Sequence, residues 1–411
     1  MRNTRLLVSV FTALAIAASA DPIPLGEYHQ RRAELRTKLE GTLVLFGFVE
    51  GPDEVYHHPQ NSDFYYLTGW TQPAAIALLT PASETLFLPH RIPRLETYMG
   101  KRIAPEDSDA PASTGFDAVQ PPEKFEAALA RALDSTGPVY VIGDAAAIAK
   151  IKALAPFREV SDGSRLLARQ RMKKSEAEIA AIQRATDVSM DAHRAAWKRL
   201  TPGVHEYQAA ATFTATLLEA GCDGHAYEPI FGSGPNSTVL HYSANSRRMD
   251  AGEVIVIDAA ARCGNYTSDI TRTLPIGGKF TKRQREVYDI VLGAQQAVID
   301  AIKPGVELRD LTRIAREYID KQGKDKDGKP LSKYLPHGVS HPVGIDVHDP
   351  ASMNAKLEAG MLVTVEPGLY FPEENLGVRI EDLVLVTEKG ATLMSGALPR
   401  RADEVEKAMA H

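Results

Sequence analysis

The sequence predicts an α/β domain at the N-terminus, followed by an α+β domain that contains an internal pseudo-twofold duplication. Its 411 residues exceed the roughly 250–300 that one hydrophobic core usually serves, so at least two domains are expected. Short apolar runs alternate with helical stretches in the first part of the chain, which is typical of an α/β domain. The second part repeats one order of elements, helix, helix, loop and hairpin, and this repetition predicts two related halves.

The first twenty residues have the pattern of a secretory signal peptide. Arg2 and Arg5 form a basic start, residues 6–18 are uncharged and largely apolar, and Ala18-Ser19-Ala20 is a small-residue cleavage site. The apolar run is shorter than the roughly 20 residues that a membrane-spanning helix requires. We therefore expect residues 1–20 to be removed and the protein to be exported, to a periplasm or to the medium. No stable membrane association is expected after cleavage, and an uncleaved anchor is the alternative.

Residues 21–165 are predicted to form the N-terminal domain. Residues 27–39 and 123–133 have helical patterns. Residues 104–115 are rich in Pro, Ala, Ser and Asp, which predicts a surface loop. Four short apolar runs are predicted to be buried strands: residues 43–46, 75–79, 85–88 and 139–142.

Residues 166–411 are predicted to form the C-terminal domain, whose long helices are marked by their caps. Ser175 and Glu178 form a capping box before the first long helix, and Thr281 and Gln284 form another before an amphipathic helix. In each half a second helix, a loop and a hairpin follow. These second helices are predicted at residues 206–220 and 307–322.

Each predicted hairpin carries two acidic residues in apolar strands. A turn midway between Asp258 and Asp269 would place these two side chains opposite each other, and the same reasoning pairs Glu366 with Glu381. Like charges that face each other in an apolar sheet are costly unless metal ions, protons or arginine neutralise them. The four carboxylates therefore predict a cation site. The strands are predicted at residues 254–258 and 269–273, and at residues 361–366 and 378–386.

Histidines occur at matching places in the two halves. His241 and His348 precede the first acid of their own hairpin by 17 and 18 residues, and His337 and His341 lie in the segment HGVSHPVGIDVHD. Four carboxylates and one imidazole are too many for one catalytic ion and too rich in oxygen for a structural zinc site. Two divalent ions bridged by carboxylates account for this set, and such a pair activates water and stabilises a tetrahedral intermediate.

Composition excludes several other classes of protein. The formal net charge of −6 offers no basic excess for a phosphate backbone, so no nucleic-acid partner is expected. With 44% hydrophobic and 24% charged residues, the chain is neither disordered nor fibrous. Its two cysteines, Cys222 and Cys263, allow one disulfide at most.

Four segments of the C-terminal part resemble the signature segments of the pita-bread metallopeptidases, a group that includes methionine aminopeptidase, prolidase and aminopeptidase P. These segments are SDITRT, HGVSHPVGIDVHD, TVEPGLY and GVRIED. The segment NSDFYYLTGW, residues 61–70, resembles the N-terminal domain of aminopeptidase P, which methionine aminopeptidases lack. Creatinases share both domains but not the metal ligands, all of which are present here. The resemblance covers nearly all of the chain after residue 20, and it implies a pita-bread fold for residues 166–411.

The resemblance also implies a role for individual residues. Asp269 and Glu381 are implied to bridge two metal ions, and Glu366 is implied to act both as a ligand and as the acid/base. His241 and His348 are implied to contact the scissile carbonyl or the proline side of the substrate. The implied metal ligands are Asp258, Asp269, His341, Glu366 and Glu381, and the implied supporting residues are His337, Tyr370 and Arg379.

The implied activity is hydrolysis of the bond between an N-terminal residue and a following proline, by attack of a metal-bridging hydroxide. Mn(II) is the expected metal, with Co(II) and Zn(II) as alternatives, because all three tolerate oxygen and nitrogen ligands. The expected partners are peptides with proline at the second position and further copies of the chain, in a dimer or tetramer. Two other functions remain open: a prolidase acting on Xaa-Pro dipeptides, and a non-catalytic binding protein of the same fold.

Overall fold

A computed structural model of the chain describes residues 23–50 and 60–410, so the predicted signal peptide at residues 1–20 lies outside the described residues. The helices of the N-terminal region are α1 (Leu25–Thr37), α2 (Ser62–Thr68), α3 (Pro93–Met99), α4 (Ala110–Thr114), α5 (Phe125–Ala132), α6 (Ala145–Leu154) and α7 (Ser164–Met172). Its strands are β1 (Thr42–Phe46), β2 (Ile76–Leu79), β3 (Glu84–Phe87), β4 (Ala118–Gln120), β5 (Val139–Ile142) and β6 (Val160–Asp162).

The strands of the N-terminal region form one mixed sheet in the order β4-β3-β2-β1-β5-β6. Strand β1 pairs antiparallel with β2 and parallel with β5. Successive side chains of β1 enter different apolar clusters, with Leu43 and Leu45 on one face and Val44 on the other. The sheet is therefore covered on both faces, which confirms the predicted α/β class. The predicted loop at residues 104–115 is wrong in part, because it contains the short helix α4.

Helix α7 joins the N-terminal region to the rest of the chain. Its Leu167 packs in the cluster that contains Leu43, and its Met172 packs in a cluster of C-terminal residues. The predicted boundary after residue 165 falls inside this helix and stays a prediction. The cluster with Leu43 also contains Ile182 and Val343, so the two regions share part of a core.

The C-terminal region follows the predicted order of helices and hairpins. Its helices are α8 (Glu176–Trp197), α9 (Glu206–Glu219), α10 (Lys282–Ala301), α11 (Leu308–Lys321) and α12 (Ala402–Met409). Its strands are β7 (Gly224–His225), β8 (Ile230–Ser233), β9 (Val254–Asp258), β10 (Ala261–Cys263), β11 (Tyr266–Thr267), β12 (Thr271–Pro275), β13 (Leu362–Val365), β14 (Gly368–Phe371), β15 (Leu376–Arg379), β16 (Asp382–Thr387) and β17 (Gly390–Leu393). Both predicted capping boxes are present, at the starts of α8 and α10.

The first hairpin corrects the predicted register. Strand β9 pairs with β12 so that Asp258 lies opposite Thr271, and not opposite Asp269. The chain turns at Gly264 and Asn265, which have φ of +58° and +65°, as in a two-residue type I′ turn. This turn lies one residue later than the predicted midpoint. Asp269 is therefore displaced by two positions and lies diagonally across from Asp258, still on the same face of the hairpin.

The second hairpin agrees with the predicted register. One register relates the β13–β16 pair and the β14–β15 pair, and Glu366 and Glu381 occupy opposite positions in the gap between them. In this gap the N–H of Glu381 donates to the carbonyl of Thr271, at 3.0 Å. The interruption in the second hairpin thus links it to the first and brings the acids of both halves together.

Cys222 and Cys263 form a disulfide bond. It ties the segment after α9 to β10, next to the turn of the first hairpin. Within residues 23–50 and 60–410, every helix is too short or too polar to cross a membrane.

Candidate metal centre and substrate cavity

The two hairpins meet at a cavity of about 660 Å³. Nine of the ten predicted site residues line this cavity, and the tenth, Tyr370, lies behind them. The nine are His241, Asp258, Asp269, His337, His341, His348, Glu366, Arg379 and Glu381. Residues that are far apart in the sequence therefore form one site.

Three of the predicted metal ligands form the centre of the site. Asp269, His341 and Glu381 each offer one ligand atom, and these atoms lie within 4.8 Å of one another. His341 Nε2 lies 3.4 Å from Asp269 Oδ2 and 3.5 Å from Glu366 Oε1. Asp258 completes the group from the end of β9. Its Oδ1 lies 2.6 Å from the Tyr227 hydroxyl, which also lies within hydrogen-bond distance of Asp269.

Burial and mutual repulsion control the protonation of the carboxylates. Burial raises the pKa of Asp269, Glu366 and Glu381 well above the ordinary carboxyl value. The second contribution comes from a neighbouring acid in each case: Asp258 raises the pKa of Asp269, Glu381 raises that of Glu366, and Asp269 raises that of Glu381. A buried set of oxygen donors that repel one another fits divalent cations, since bound cations would neutralise it.

His341 is suited to act as a ligand at neutral pH. Burial and the nearby His348 lower the pKa of His341 to about 4, so its imidazole is neutral and can present a lone pair. The rings of His341 and His348 meet edge to face, with centroids 4.3 Å apart. His348 and His241 are exposed on the cavity wall, where a substrate can reach them.

A chain of hydrogen bonds runs behind the metal ligands. Arg379 donates through Nη2 to Asp258 Oδ2 at 2.6 Å and through Nη1 to the Tyr370 hydroxyl at 2.8 Å. The Tyr370 hydroxyl lies 3.0 Å from His337 Nε2. Burial lowers the pKa of His337 to about 4 and raises that of Tyr370 to about 12, so both are neutral at neutral pH. The three predicted supporting residues are thus one connected group that holds Asp258.

The sequence interpretation missed several residues that hold the ligands. The Tyr227 hydroxyl lies 2.6 Å from Asp258 Oδ1 and 2.5 Å from Asp269 Oδ1, and so bridges the two acids of the first hairpin. Thr271 Oγ1 donates to Glu381 Oε2 at 2.7 Å, and Thr364 Oγ1 accepts from the His341 N–H at 3.1 Å. Tyr227 precedes β8 and belongs to no motif, so no sequence signal marked it. The two threonines could have been found from the sequence. Each lies two residues from an acid of its own hairpin, and therefore on the same face of the strand as that acid.

Comparison with known proteins agrees with this geometry. The model of metallopeptidase family M24 matches residues 180–388, and that of the aminopeptidase P N-terminal domain matches residues 28–140. The Xaa-Pro aminopeptidase of Haemophilus influenzae is 30% identical over 425 residues, covering 94% of this chain and 98% of that protein. The Xaa-Pro dipeptidase of Pyrococcus horikoshii is 32% identical over 337 residues, covering 81% of this chain and 90% of that protein.

A solved structure, zinc-substituted Escherichia coli aminopeptidase P in complex with product, has a TM-score of 0.85 and 28% sequence identity to this chain. The match covers 94% of this chain and 98% of that one, so it includes both regions. The predicted fold class is therefore confirmed, and an enzyme is favoured over a non-catalytic protein of the same fold. The chain belongs to metallopeptidase family M24, as an enzyme of the aminopeptidase P type with that group's N-terminal domain and pita-bread catalytic domain.

Proposed function

We propose that the chain is an exported dinuclear aminopeptidase that removes the first residue from peptides with proline at the second position. The observation that carries this proposal is the convergence of four carboxylates and one neutral imidazole on one cavity, beside two exposed histidines. Similarity to the Xaa-Pro aminopeptidase of Haemophilus influenzae along nearly the full length of both chains supports the choice of substrate.

Two divalent cations would be held by Asp258, Asp269, His341, Glu366 and Glu381, with Asp269 and Glu381 shared between them. Cations bound there supply positive charge for a developing oxyanion and lower the pKa of water to near neutrality. Mn(II) is our first choice, and Co(II) or Zn(II) also suits this donor set. Arg379 orients Asp258, because it donates a short charge-assisted hydrogen bond to it.

Glu366 is the proposed acid/base. Its carboxylate faces the cavity, where a group that transfers protons can reach the substrate, and burial raises its pKa well above the ordinary value. In this role a carboxylate oxygen of Glu366 accepts the proton of the attacking water. It then delivers that proton to the proline nitrogen as the peptide bond breaks.

His241 and His348 are proposed to hold the substrate. Both are exposed on the cavity wall and can donate hydrogen bonds to the scissile carbonyl or to the chain beyond proline. Proline has no amide N–H, so a peptidase that binds that N–H loses a contact at this residue. Recognition of the ring and of the neighbouring carbonyls compensates for that loss.

Export is proposed from two independent features. Residues 1–20 have the composition of a signal peptide, and the disulfide between Cys222 and Cys263 belongs to the kind that persists in oxidising compartments. N-terminal sequencing of the protein recovered from its native host tests this proposal. The expected first residue is Asp21, and a mature chain that keeps residues 1–20 would contradict it.

A peptide panel tests the activity. The metal-free protein should hydrolyse nothing, and addition of Mn(II) should restore cleavage of an Xaa-Pro-Xaa tripeptide. The matched substrates are the same tripeptide with alanine in place of proline and the same tripeptide with an acetylated N-terminus. Equal cleavage of the alanine peptide, or cleavage of the acetylated peptide, would contradict the proposal.

Prolidase activity is the second candidate, because the chain is also 32% identical to the Xaa-Pro dipeptidase of Pyrococcus horikoshii. The same panel separates the two functions. Faster hydrolysis of the Xaa-Pro-Xaa tripeptide than of the Xaa-Pro dipeptide indicates an aminopeptidase, and the reverse order indicates a prolidase.

We also propose that the protein forms a dimer or a tetramer, on the strength of the family resemblance. Light scattering of the metal-loaded protein after size exclusion gives the mass directly. The 44.8 kDa of the full chain is the reference for a monomer, and a monomeric mass at all concentrations would contradict this proposal.

A further inference from the structure

A short closed loop carries the two histidines that lie side by side in the cavity. Residues 342–349 leave His341 and return to His348, and the Asp349 N–H closes the loop by donating to the Pro342 carbonyl, at 3.1 Å. Inside the loop, a Cβ added at Gly344 would lie 2.5 Å from Asp349 Oδ2. The loop is packed so closely that its shape depends on where the Asp349 carboxylate is held.

Two buried, positively charged side chains, Arg171 and Lys174, bind the carboxylates of this loop. Arg171 Nη2 donates to Asp349 Oδ1 at 2.6 Å and to Asp346 Oδ2 at 2.8 Å. Lys174 Nζ donates to Asp349 Oδ2 at 3.0 Å. The side chains of Arg171 and Asp349 are each 2% exposed, so these bonds form away from water, where charge-assisted hydrogen bonds are strong. The carboxylates on both sides of His348 are thus fixed from behind.

The N-terminal region completes the arrangement. Asp63 of helix α2 accepts from Arg171 Nη1 at 2.7 Å, and Ser62 of the same helix donates to Asp346 Oδ1 at 2.6 Å. Helix α2 is itself fixed by Asn61, whose side chain accepts from the Phe64 N–H. The segment at residues 61–70 therefore contacts residues 342–349 directly through Ser62, and indirectly through the ion pair of Asp63 with Arg171.

We propose that Arg171 is a positioning residue for catalysis: held by Asp63, it fixes residues 342–349 and thereby sets the ring of His348 against His341. This inference rests on the proposed function, in which His348 contacts the substrate. It gives the N-terminal domain a part in the active site, although none of the residues that the structure describes in this domain lines the cavity. Displacing a substrate-positioning group by about 1 Å can lower the rate by up to about a hundredfold, so loss of these bonds should have a measurable effect on kcat.

Three variants of graded severity test the proposal. Ser62→Ala removes only the bond from the N-terminal domain to Asp346. Asp346→Asn removes the charge of the partly exposed carboxylate, and Arg171→Lys keeps the charge but removes the planar fork. We expect kcat to fall in that order, by about tenfold for Asp346→Asn and up to about a hundredfold for Arg171→Lys, with little change in KM or bound metal. The His348 imidazole signal, assigned in NMR spectra with His348→Gln, should shift in the same order.

Glu84→Gln is the matched control. Glu84 and Arg32 form an ion pair that is fully buried in the N-terminal domain, and the hydrogen bonds of both side chains stay within that domain. This variant should lower the unfolding temperature while kcat and the His348 signal stay as in the wild type. The proposal is overturned if folded Asp346→Asn and Arg171→Lys keep kcat within about twofold, or if Glu84→Gln lowers kcat as much as they do.

The NMR measurement separates this inference from the proposed function. If the metal-loaded wild type cleaves no Xaa-Pro peptide, the proposed function fails. The His348 signal of the metal-free variants then still decides the positioning role. A signal that moves in the graded order supports it, and a signal that stays in place in all three variants overturns it.

Discussion

Among single residues, Glu366 is the proposed acid/base. Its Oε1 lies 3.5 Å from both His341 Nε2 and Thr364 Oγ1, and burial raises its pKa well above the ordinary value. Glu366→Gln keeps the shape of the side chain and removes the exchangeable proton. We expect kcat to fall by about 10²–10⁴-fold, the usual contribution of a general acid/base.

The control for this prediction is Glu373→Gln, since Glu373 is an exposed acid in the turn of the same hairpin. That variant should keep the kcat of the wild type. Both proteins are to be assayed with Xaa-Pro-Xaa peptide after their bound metal has been measured. Full activity of metal-loaded Glu366→Gln would remove Glu366 from the mechanism.

Tyr227 provides a second prediction at this scale. Its hydroxyl bridges Asp258 and Asp269, and burial raises its own pKa well above 10, so it stays protonated and keeps its proton available for these acids. Tyr227→Phe removes only the hydroxyl. We expect the affinity for divalent metal to fall by about 10–100-fold, as is usual when a hydrogen bond that orients a ligand is lost.

Titration calorimetry with Mn(II) measures this affinity. Tyr242→Phe is the matched control, because the Tyr242 hydroxyl donates to Glu206, outside the metal centre. Equal metal affinities for Tyr227→Phe and Tyr242→Phe would show that the bridge between the two aspartates has no effect on binding.

At the scale of elements, local signals in the sequence located the helices well but not the register of the first hairpin. The serine and threonine caps of α8 and α10 depend on residues three positions apart, so a local reading finds them. The hairpin register depends on which residues occupy the turn. Gly264-Asn265 is a turn-forming pair, and reading it as a type I′ turn would have placed Asp258 opposite Thr271.

Contacts between elements that are distant in sequence explain what could not be predicted. Arg171 meets Asp349 across 178 positions, and Ser62 meets Asp346 across 284. Neither contact follows from spacing or periodicity, because the first depends on how α7 packs on residues 342–349 and the second on how the N-terminal domain packs on them. The four acids were predicted because each half repeats a pair of them in its hairpin, and His341 was predicted from the family resemblance, whereas Tyr227 belongs to no motif.

The disulfide provides a prediction at the element scale. Cys222 and Cys263 are 41 positions apart, and closing a loop of this length stabilises the folded state by about 4 kcal/mol in the chain-entropy model. Replacing both cysteines with serine should therefore lower the unfolding free energy by about 3–4 kcal/mol. Urea unfolding of the oxidised protein, the reduced protein and the double variant measures this effect.

The chain itself supplies the control for the disulfide, since it contains no other cysteine. A reducing agent should destabilise the wild type and leave the double variant unchanged. A wild type that unfolds at the same urea concentration with and without reductant would contradict the prediction.

At the scale of the whole molecule, the fold concentrates negative charge where the two halves meet. The Glu381 N–H bonds to Thr271 across the halves, and the raised pKa values of Asp269, Glu366 and Glu381 follow from burying these acids together. The metal-free protein therefore holds protons that its unfolded chain releases near pH 4. Stability and metal content are linked through these protons.

The last prediction concerns how the stability of the metal-free protein depends on pH. A carboxyl group with a raised pKa in the folded state binds more protons there than in the unfolded chain, so its contribution to stability is lost as the pH rises through the folded pKa. His337 and His341, whose pKa values are lowered to about 4, have the opposite effect up to about pH 6.5, so the total stability mixes both effects.

Comparing the wild type with Glu381→Gln isolates the carboxyl contribution, because the histidines are common to both proteins and glutamine resembles the protonated acid. In chelator-treated samples, the two should be about equally stable near pH 4, and Glu381→Gln should become the more stable as the pH rises, by up to about 1.4 kcal/mol per pH unit. Saturating Mn(II) should reverse the order, because the wild type then gains the free energy of metal binding that the variant has lost. A difference in unfolding free energy that does not change with pH would mean that the neighbouring acids do not raise the pKa of Glu381. An order that Mn(II) leaves unchanged would mean that Glu381 does not bind the metal.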